Sequence, residues 1–219
     1  MKQQRRLDMF FYGFFDFLTA MLAWACFYIY RKKVEGAEVD VTIFQDENFW
    51  LGIIVVPICW VLFYSIFDQY NDVYRMSRLA TFTRTFFLAF FGVLFLFFTL
   101  ILDDFVRDYK TYYNSFFTLL FLHFGFTVFL RMILLTRASR KLKSGLVTYR
   151  TLVIGGNQNA LELYDEITSR EKGLGNKFIG FIDSNGKSKN ELAVHLPKLG
   201  KIKDLQNVLS DSGIEEVII

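Results

Sequence analysis

Hydrophobic residues are distributed unevenly along this chain of 219 residues. Long apolar blocks rich in Phe fill most of the first part, whereas short apolar runs alternate with polar stretches after Arg150. The blocks cover roughly residues 9–30, 49–67, 85–102 and 113–135. Each is close to the ~20 residues that a helix needs to cross a hydrocarbon core of ~30 Å. The pattern therefore predicts four transmembrane helices followed by a polar domain.

The polar part of the chain alternates between strand and helix patterns. Its first run, at residues 151–154, is typical of a buried parallel strand. The predicted elements are strands at 151–154, 177–183 and 215–219 and helices at 160–169 and 203–212. Such an order is typical of a doubly wound parallel sheet. We therefore predict a membrane α-helical domain at residues 1–143 and a truncated α/β Rossmann-like parallel-sheet domain, cytoplasmic and incomplete at its C-terminus, at residues 144–219.

Composition supports this class of protein. Hydrophobic residues make up 53% of the chain, 27 residues are Phe, and the mean hydropathy is +0.29, which is too apolar for a soluble chain with a polar final third. The formal net charge is +3, with the basic surplus in the membrane part. These positive charges flank the apolar blocks and do not form a patch on a soluble face. We therefore predict no nucleic-acid partner.

Lys and Arg residues outside the apolar blocks predict the orientation, because short cytoplasmic loops are enriched in them. With the N-terminus in the cytosol, ten such residues lie inside and five outside. The inner set is Lys2, Arg5, Arg6, Arg75, Arg78, Arg84, Arg137, Arg140, Lys141 and Lys143, and the outer set is Arg31, Lys32, Lys33, Arg107 and Lys110. We predict that both termini are cytoplasmic, although the basic cluster at 31–33 departs from the rule. The outer loops also carry the acids Glu35, Glu38, Asp40, Asp46, Glu47, Asp103, Asp104 and Asp108.

Asp16 and His123 lie inside the apolar blocks and are residue types that can carry chemistry. A charged Asp16 in the first block costs roughly 2.5–3.5 kcal/mol on insertion scales, so it should face a partner helix or water. A proton relay or a substrate contact is one interpretation of Asp16. Structural packing, in which the acid pairs with a nearby Arg or takes up a proton, is the favoured one. His123 in the fourth block has no second His or carboxylate at ligand spacing. We predict a hydrogen-bonded interior imidazole there, and no metal ligand in this chain.

The inner loop at residues 68–84 mixes basic and apolar residues at helical spacing. The pattern is carried by Arg75, Arg78, Leu79, Phe82 and Phe86. It predicts a short helix in the membrane interface before the third span, in contact with lipid headgroups, or else a solvated connector.

The turn after the first predicted strand is the candidate nucleotide site. Gly155, Gly156 and Asn157 stand where a strand end opens a helix, which is the place of the dinucleotide fingerprint G-x-G-x-x-G/A. Ala160 suits the sixth position, but Asn157 replaces the glycine that lets the backbone approach a pyrophosphate. Asp183, at the end of the second strand, is the candidate for holding a ribose hydroxyl.

Two interpretations of this turn stay open. Gly155, Gly156, Asn157 and Asp183 bind a nucleotide cofactor in one of them, and they belong to a Rossmann-like scaffold without a ligand in the other. The missing glycine favours the scaffold. So does the sheet, since three recognisable strands lack the neighbours that would complete a ligand crevice at the switch point.

Several segments together carry a resemblance to a known family. They are the basic N-terminus, the span with Asp16, the inner segment QYNDVYR at 69–75, and the runs TLVIGGNQNALELYDEI and KFIGFID. With these features the chain resembles, over essentially its full length, the N-terminal part of the large bacterial polyprenyl-phosphate glycosyl-1-phosphate transferases, such as undecaprenyl-phosphate glucose phosphotransferases. Membrane-bound nucleotide-diphosphosugar dehydratases and epimerases look similar over the same stretch and remain the alternative.

The resemblance implies a parent enzyme that transfers a hexose-1-phosphate from a nucleotide-diphosphate sugar to undecaprenyl phosphate, which initiates exopolysaccharide or capsule synthesis. Family members use Mg²⁺ and an Asp-Glu pair in a C-terminal catalytic domain. No stretch of this chain matches that domain, so we assign no catalytic or metal residue and expect no cofactor in this chain. The implied partners are the lipid bilayer, undecaprenyl phosphate, a nucleotide sugar and a second copy in a dimer, at the bacterial inner (cytoplasmic) membrane.

Two functions of different class follow for the chain itself. As a membrane-anchoring and regulatory module, it would hold a transferase domain at the membrane. As part of a dehydratase or epimerase, it would precede a separate NAD-binding fold.

Overall fold

The computed structural model describes residues 2–36, 41–101, 109–171, 173–184, 190–211 and 213–219. They form two compact units, Lys2–Ala138 and Ser139–Ile219. Several residues used above lie outside the described ranges: Glu38, Asp40, Leu102, Asp103, Asp104, Arg107, Asp108 and Ser212. The predictions that involve these residues stay predictions.

Four long helices make up the first unit, and the last of them continues a few residues beyond Ala138. They are α1 (Lys2–Val34), α2 (Glu47–Ile66), α3 (Arg78–Leu96) and α4 (Tyr109–Lys143), with a 3₁₀ turn at Val41–Gln45 and a π-helical turn at Phe97–Ile101. All four helices are long and apolar enough to cross a membrane, which confirms the predicted membrane class. At 33 and 35 residues, α1 and α4 are about 50 Å long and exceed the hydrocarbon thickness.

Small residues bring the helices of this unit together. A Cβ atom built on Gly52 would lie 2.1 Å from Trp24 Nε1, and one on Gly92 would lie 2.3 Å from Trp60 Cη2. Glycine at these positions therefore lets two indole rings pack directly on neighbouring backbones, as is typical of membrane helices. Large apolar side chains such as Phe95 are exposed on the outside of the unit, which is the surface that lipid would cover.

The segment at residues 67–77 between α2 and α3 corrects one prediction. It consists of turns, and no separate helix precedes the third span: α3 begins at Arg78, so Leu79 and Phe82 belong to the spanning helix itself. The reason lies in the segment's turn chemistry. Asp72 accepts a hydrogen bond from the Tyr74 backbone N–H at 3.1 Å, an Asx turn that competes with helix formation.

The second unit contains a four-stranded parallel sheet with flanking helices. Its strands are β1 (Tyr149–Ile154), β2 (Asn176–Asp183), β3 (Lys198–Lys201) and β4 (Glu216–Ile218), and its helices are α5 (Gln158–Thr168) and α6 (Leu205–Asp211). Short 3₁₀ turns lie at Glu191–Val194 and Ile202–Asp204. The strand order β3-β2-β1-β4 is that of a doubly wound sheet, so the predicted fold class is confirmed.

The sheet differs from the prediction at β3 and at its switch point. Three of the four strands are recognisable in the sequence, and β3 is not. Its four residues follow Pro197, include Gly200 and contain no apolar run. The chain reverses its winding between β1 and β4, and both strands are present and paired. The expectation that the crevice strands are missing is therefore wrong, since β1 and β4 are the pair that borders the crevice in this topology.

Candidate functional site

The two glycines of the β1–α5 turn serve different purposes. Gly155 has φ +115° and donates its N–H to the Ile182 carbonyl at 2.8 Å, and a Cβ at this position would meet no atom within 4 Å. Gly156 is tightly enclosed: a Cβ there would lie 2.6 Å from the Phe181 ring and 2.8 Å from Asn190 Oδ1. Gly155 therefore supplies the backbone conformation, and Gly156 supplies room for packing.

Asn157 caps helix α5. Its side-chain Oδ1 accepts a hydrogen bond from the Ala160 backbone N–H at 3.2 Å. In dinucleotide-binding folds, N–H groups at this helix end face a ligand phosphate. Here the side-chain oxygen of Asn157 accepts a hydrogen bond from one of those N–H groups. The Asn at the third position of the fingerprint therefore serves as a helix cap.

Asp183 lies at the carboxyl end of β2 and is 4% exposed. Its Oδ2 accepts hydrogen bonds from Lys198 Nζ at 2.6 Å and from Asn190 Nδ2 at 3.3 Å. A ribose hydroxyl at this carboxylate would have to compete with a charged partner. Lys198 and Asn190 were missed by the sequence analysis, since the short strand that places Lys198 was itself not recognised.

The structure brings the predicted site residues to one edge of the sheet. The turn at Gly155 is bonded to the end of β2, and Asn190 connects Gly156 with Asp183. The Oδ1 atom of Asn190 is buried and, among the described residues, has no hydrogen-bond donor. Cofactor binding by Gly155, Gly156, Asn157 and Asp183 stays a prediction. The structure shows that the Ala160 N–H and the Asp183 carboxylate are bonded within the protein.

A second cluster lies inside the membrane unit and centres on Arg131. The side chain is 1% exposed and forms a two-bond ion pair with Asp16, with Nη2–Oδ2 at 2.6 Å and Nε–Oδ1 at 3.0 Å. Of the two structural alternatives for Asp16, the structure shows pairing with an Arg. Arg131 itself was missed, although it is a charged residue within the fourth apolar block, which is a direct signal of pairing.

The remaining contacts of Arg131 connect α4 with α2, α3 and the 67–77 segment. Its Nη1 donates to Thr85 Oγ1 on α3 at 2.7 Å and to Gln69 Oε1 in the 67–77 segment at 3.3 Å. Its guanidinium carbon lies 4.3 Å from the centre of the Tyr64 ring on α2. One guanidinium thus contacts all four helices and one connecting segment, which suits its planar set of donors.

His123 extends this cluster away from the ion pair. Its Nε2 lies 2.9 Å from the Tyr64 hydroxyl, and its ring stacks on Trp60 with centroids 3.7 Å apart. The predicted interior imidazole is therefore confirmed. Among the described residues, no group of three or more His, Cys, Asp or Glu side chains could hold a metal ion.

The fold and these sites define a membrane-spanning protein with a Rossmann-like α/β unit. The chain belongs to the family described as the CoA-binding domain, whose model matches residues 69–219. The domain is found in sugar transferases of polysaccharide biosynthesis. The matched region starts at Gln69, so it includes α3 and α4 as well as the sheet. A comparison with curated proteins finds no match.

The family description raises the question of whether this turn suits coenzyme A. Its pyrophosphate would need the N–H groups at the start of α5, where Asn157 already caps Ala160. Its ribose would lie toward the end of β2, where Asp183 is paired with Lys198. Two groups that a dinucleotide-binding fold would present to the ligand, the Ala160 N–H and the Asp183 carboxylate, are therefore already bonded within the protein.

Proposed function

We propose that this chain is the N-terminal membrane-anchoring and regulatory portion of an enzyme that transfers a hexose-1-phosphate from a nucleotide-diphosphate sugar to undecaprenyl phosphate. The observation that carries the proposal is the match to the CoA-binding domain family across two of the membrane helices and the α/β unit together. A domain found in sugar transferases of polysaccharide biosynthesis here adjoins four helices that are suited to a membrane.

Physical chemistry favours this arrangement of parts. One substrate is a lipid phosphate held in the bilayer, and the other is a charged, soluble nucleotide sugar. An enzyme that joins them has to work at the membrane surface, where the four helices keep it. The Arg131 cluster supports an anchoring role, because its described donors and acceptors bond mainly to one another.

The α/β unit supports a regulatory and positioning role in this proposal. The cap at Asn157 and the ion pair between Asp183 and Lys198 stabilise the turn without a ligand. We therefore propose that the unit positions a catalytic domain and mediates a dimer, in the cytoplasm at the bacterial inner membrane.

An assay of membranes tests the transferase proposal. Cells would express the 219-residue chain or any longer gene product that contains it, and their membranes would receive a radiolabelled uridine-diphosphate sugar. The longer product should move label into an organic-soluble undecaprenyl diphosphate sugar and release the nucleoside monophosphate in equal amount. The 219-residue chain alone should do neither.

Two outcomes would contradict the proposal. Turnover by the 219-residue chain alone would mean that a catalytic site lies within these residues. Conversion of the soluble nucleotide sugar to a 4-keto-6-deoxy product by the longer product, with no labelled lipid, would identify the dehydratase class.

A further inference from the structure

A pocket of about 390 Å³ lies between α1 and α2, near the end of α1 and the start of α2. Its wall combines charged and apolar side chains. The charged part comes from Arg31 and Lys32 on α1 and from Glu35 directly after it, and the apolar part includes Leu51 and Val55 on α2. A pocket with this division suits an amphiphile, with a charged head at one end and hydrocarbon at the other.

Both basic residues that line the pocket pair with a carboxylate: Glu35 belongs to the lining and Asp46 lies outside it. Arg31 Nη2 lies 3.2 Å from Glu35 Oε1, and Lys32 Nζ lies 3.2 Å from Asp46 Oδ2. The hydrogen bond that the Tyr28 hydroxyl donates to Asp46 lowers the pKa of that carboxyl group, which keeps it ionised. Two cations with two carboxylates therefore leave this end nearly neutral, which suits a zwitterion better than a simple anion.

The apolar part of the pocket continues onto the outer surface of the helix. Leu51 is 64% exposed and Val55 is 46% exposed, although both line the pocket. Both belong to a helix that is apolar enough to cross a membrane, so acyl chains would contact them. Trp24 also lines the pocket, and among the described residues its buried indole N–H has no acceptor.

We propose that this pocket binds a phosphatidylethanolamine molecule of the bilayer. The lipid phosphate accepts hydrogen bonds from Arg31 and Lys32, and its ammonium group donates to Glu35. The acyl chains lie along Leu51 and Val55. The proposal gives a role to Arg31 and Lys32 of the basic cluster at 31–33, which the distribution of Lys and Arg alone leaves unexplained.

Lipid retention by the purified 219-residue chain tests this inference. The chain would be reconstituted with equal amounts of phosphatidylethanolamine, phosphatidylglycerol and phosphatidylcholine that have identical acyl chains. Native mass spectrometry after mild detergent extraction would then count the retained lipids. We expect phosphatidylethanolamine to be retained at least roughly threefold over the other two, which is the size of effect that a partly exposed ion pair produces.

Variants in which one charged residue is replaced by Gln test how each lipid head group is recognised. Lys32→Gln should lower the retention of all three lipids, because the phosphate that they share loses a donor. Glu35→Gln should shift the preference toward phosphatidylglycerol, because only the acid that pairs with the ammonium group is removed. Lys33→Gln is the matched control: Lys33 is exposed, neighbours Lys32, and does not line the pocket, so the preference should remain.

Three results would overturn the inference. They are equal retention of the three lipids by the unaltered chain, a preference for phosphatidylglycerol that Glu35→Gln leaves unchanged, and a loss with Lys33→Gln as large as that with Lys32→Gln. None of these results depends on transferase activity, and thermal stability of each variant in detergent would show that the protein is folded.

Discussion

Arg131 is the largest of the fully buried side chains that the structure describes. A buried charge of this kind is costly unless its donors are all bonded, and here Asp16, Thr85 and Gln69 accept from it. Removing one partner of the pair between Arg131 and Asp16 has a different effect on stability from removing both. Loss of one partner leaves an uncompensated charge, whereas loss of both removes the charge from the interior.

We predict that Arg131→Gln and Asp16→Asn each destabilise the membrane unit by about 3–5 kcal/mol, because each leaves a buried charge without its counterion. The double variant should lose much less than the sum of the two. Thermal unfolding in detergent, followed by fluorescence of the Trp residues, measures the three differences as a thermodynamic cycle.

Arg137→Gln is the control for this cycle. Arg137 lies on the same helix and is exposed, so its replacement should change the stability by less than about 0.5 kcal/mol. Additive losses in the double variant would contradict the proposed pairing.

Asn157 offers a second test on a single side chain. We predict that Asn157→Ala lowers the stability of α5 by about 1 kcal/mol, because the Ala160 N–H loses its side-chain acceptor. Hydrogen exchange of the amides at 158–168 should rise accordingly. Asn159→Ala, which alters an exposed Asn in the same turn of helix, should leave the exchange unchanged.

The capped turn also leads to a prediction about ligands. Calorimetry with UDP, UDP-glucose, NAD and coenzyme A should detect no binding of micromolar strength, since Asn157 already accepts from the Ala160 N–H and Asp183 is already paired with Lys198. A dissociation constant of order micromolar, about −8 kcal/mol, would contradict this. Gly156→Val is a poor probe, because its Cβ would meet the Phe181 ring whether or not a ligand binds.

Among the elements, the connection between α2 and α3 forms specific contacts with the helices. Gln69 is 4% exposed and bonded to Arg131, and Tyr74 is 6% exposed and donates to Asp8 on α1. The Tyr70 ring packs edge-on against Tyr12, and burial raises the pKa of its hydroxyl above the ordinary value, so it is protonated at neutral pH. The segment at 67–77 thus packs against the bundle at several points.

We predict that Gln69→Ala loosens this segment, because the segment loses its bond to Arg131. Amide exchange at residues 67–77 should increase about fivefold, which corresponds to roughly 1 kcal/mol for one hydrogen bond. Asn71→Ala provides the comparison, since Asn71 is exposed in the same segment. Equal protection in both variants would contradict the role of Gln69.

The elements also show what sequence patterns can and cannot predict. Long apolar blocks reveal spanning helices because lipid demands them over a fixed length. Strand β3 was missed because its pairing with β2 depends on tertiary context and not on an apolar run of its own. Likewise, no local pattern could show that residue 131 contacts residue 16, since the two are 115 positions apart.

At the scale of the whole molecule, the orientation of the chain in the membrane remains a prediction, which reporter fusions can test. Reporter fusions after Glu38 and Tyr109 should be periplasmic, and fusions after Ser77 and Leu146 should be cytoplasmic, because Lys and Arg favour that arrangement by ten to five. A cytoplasmic reporter after Tyr109 would contradict the arrangement of four spans with both termini inside.

The pairing of Asp16 with Arg131 also has a consequence for biosynthesis. A ribosome that adds about 5–20 residues per second needs roughly 6–23 seconds to proceed from one residue to the other. During this time the carboxylate of the first helix is in the membrane without its counterion. The last helix supplies that counterion, so a nascent chain that stops before residue 131 displays an unpaired acid to the insertion and quality-control machinery.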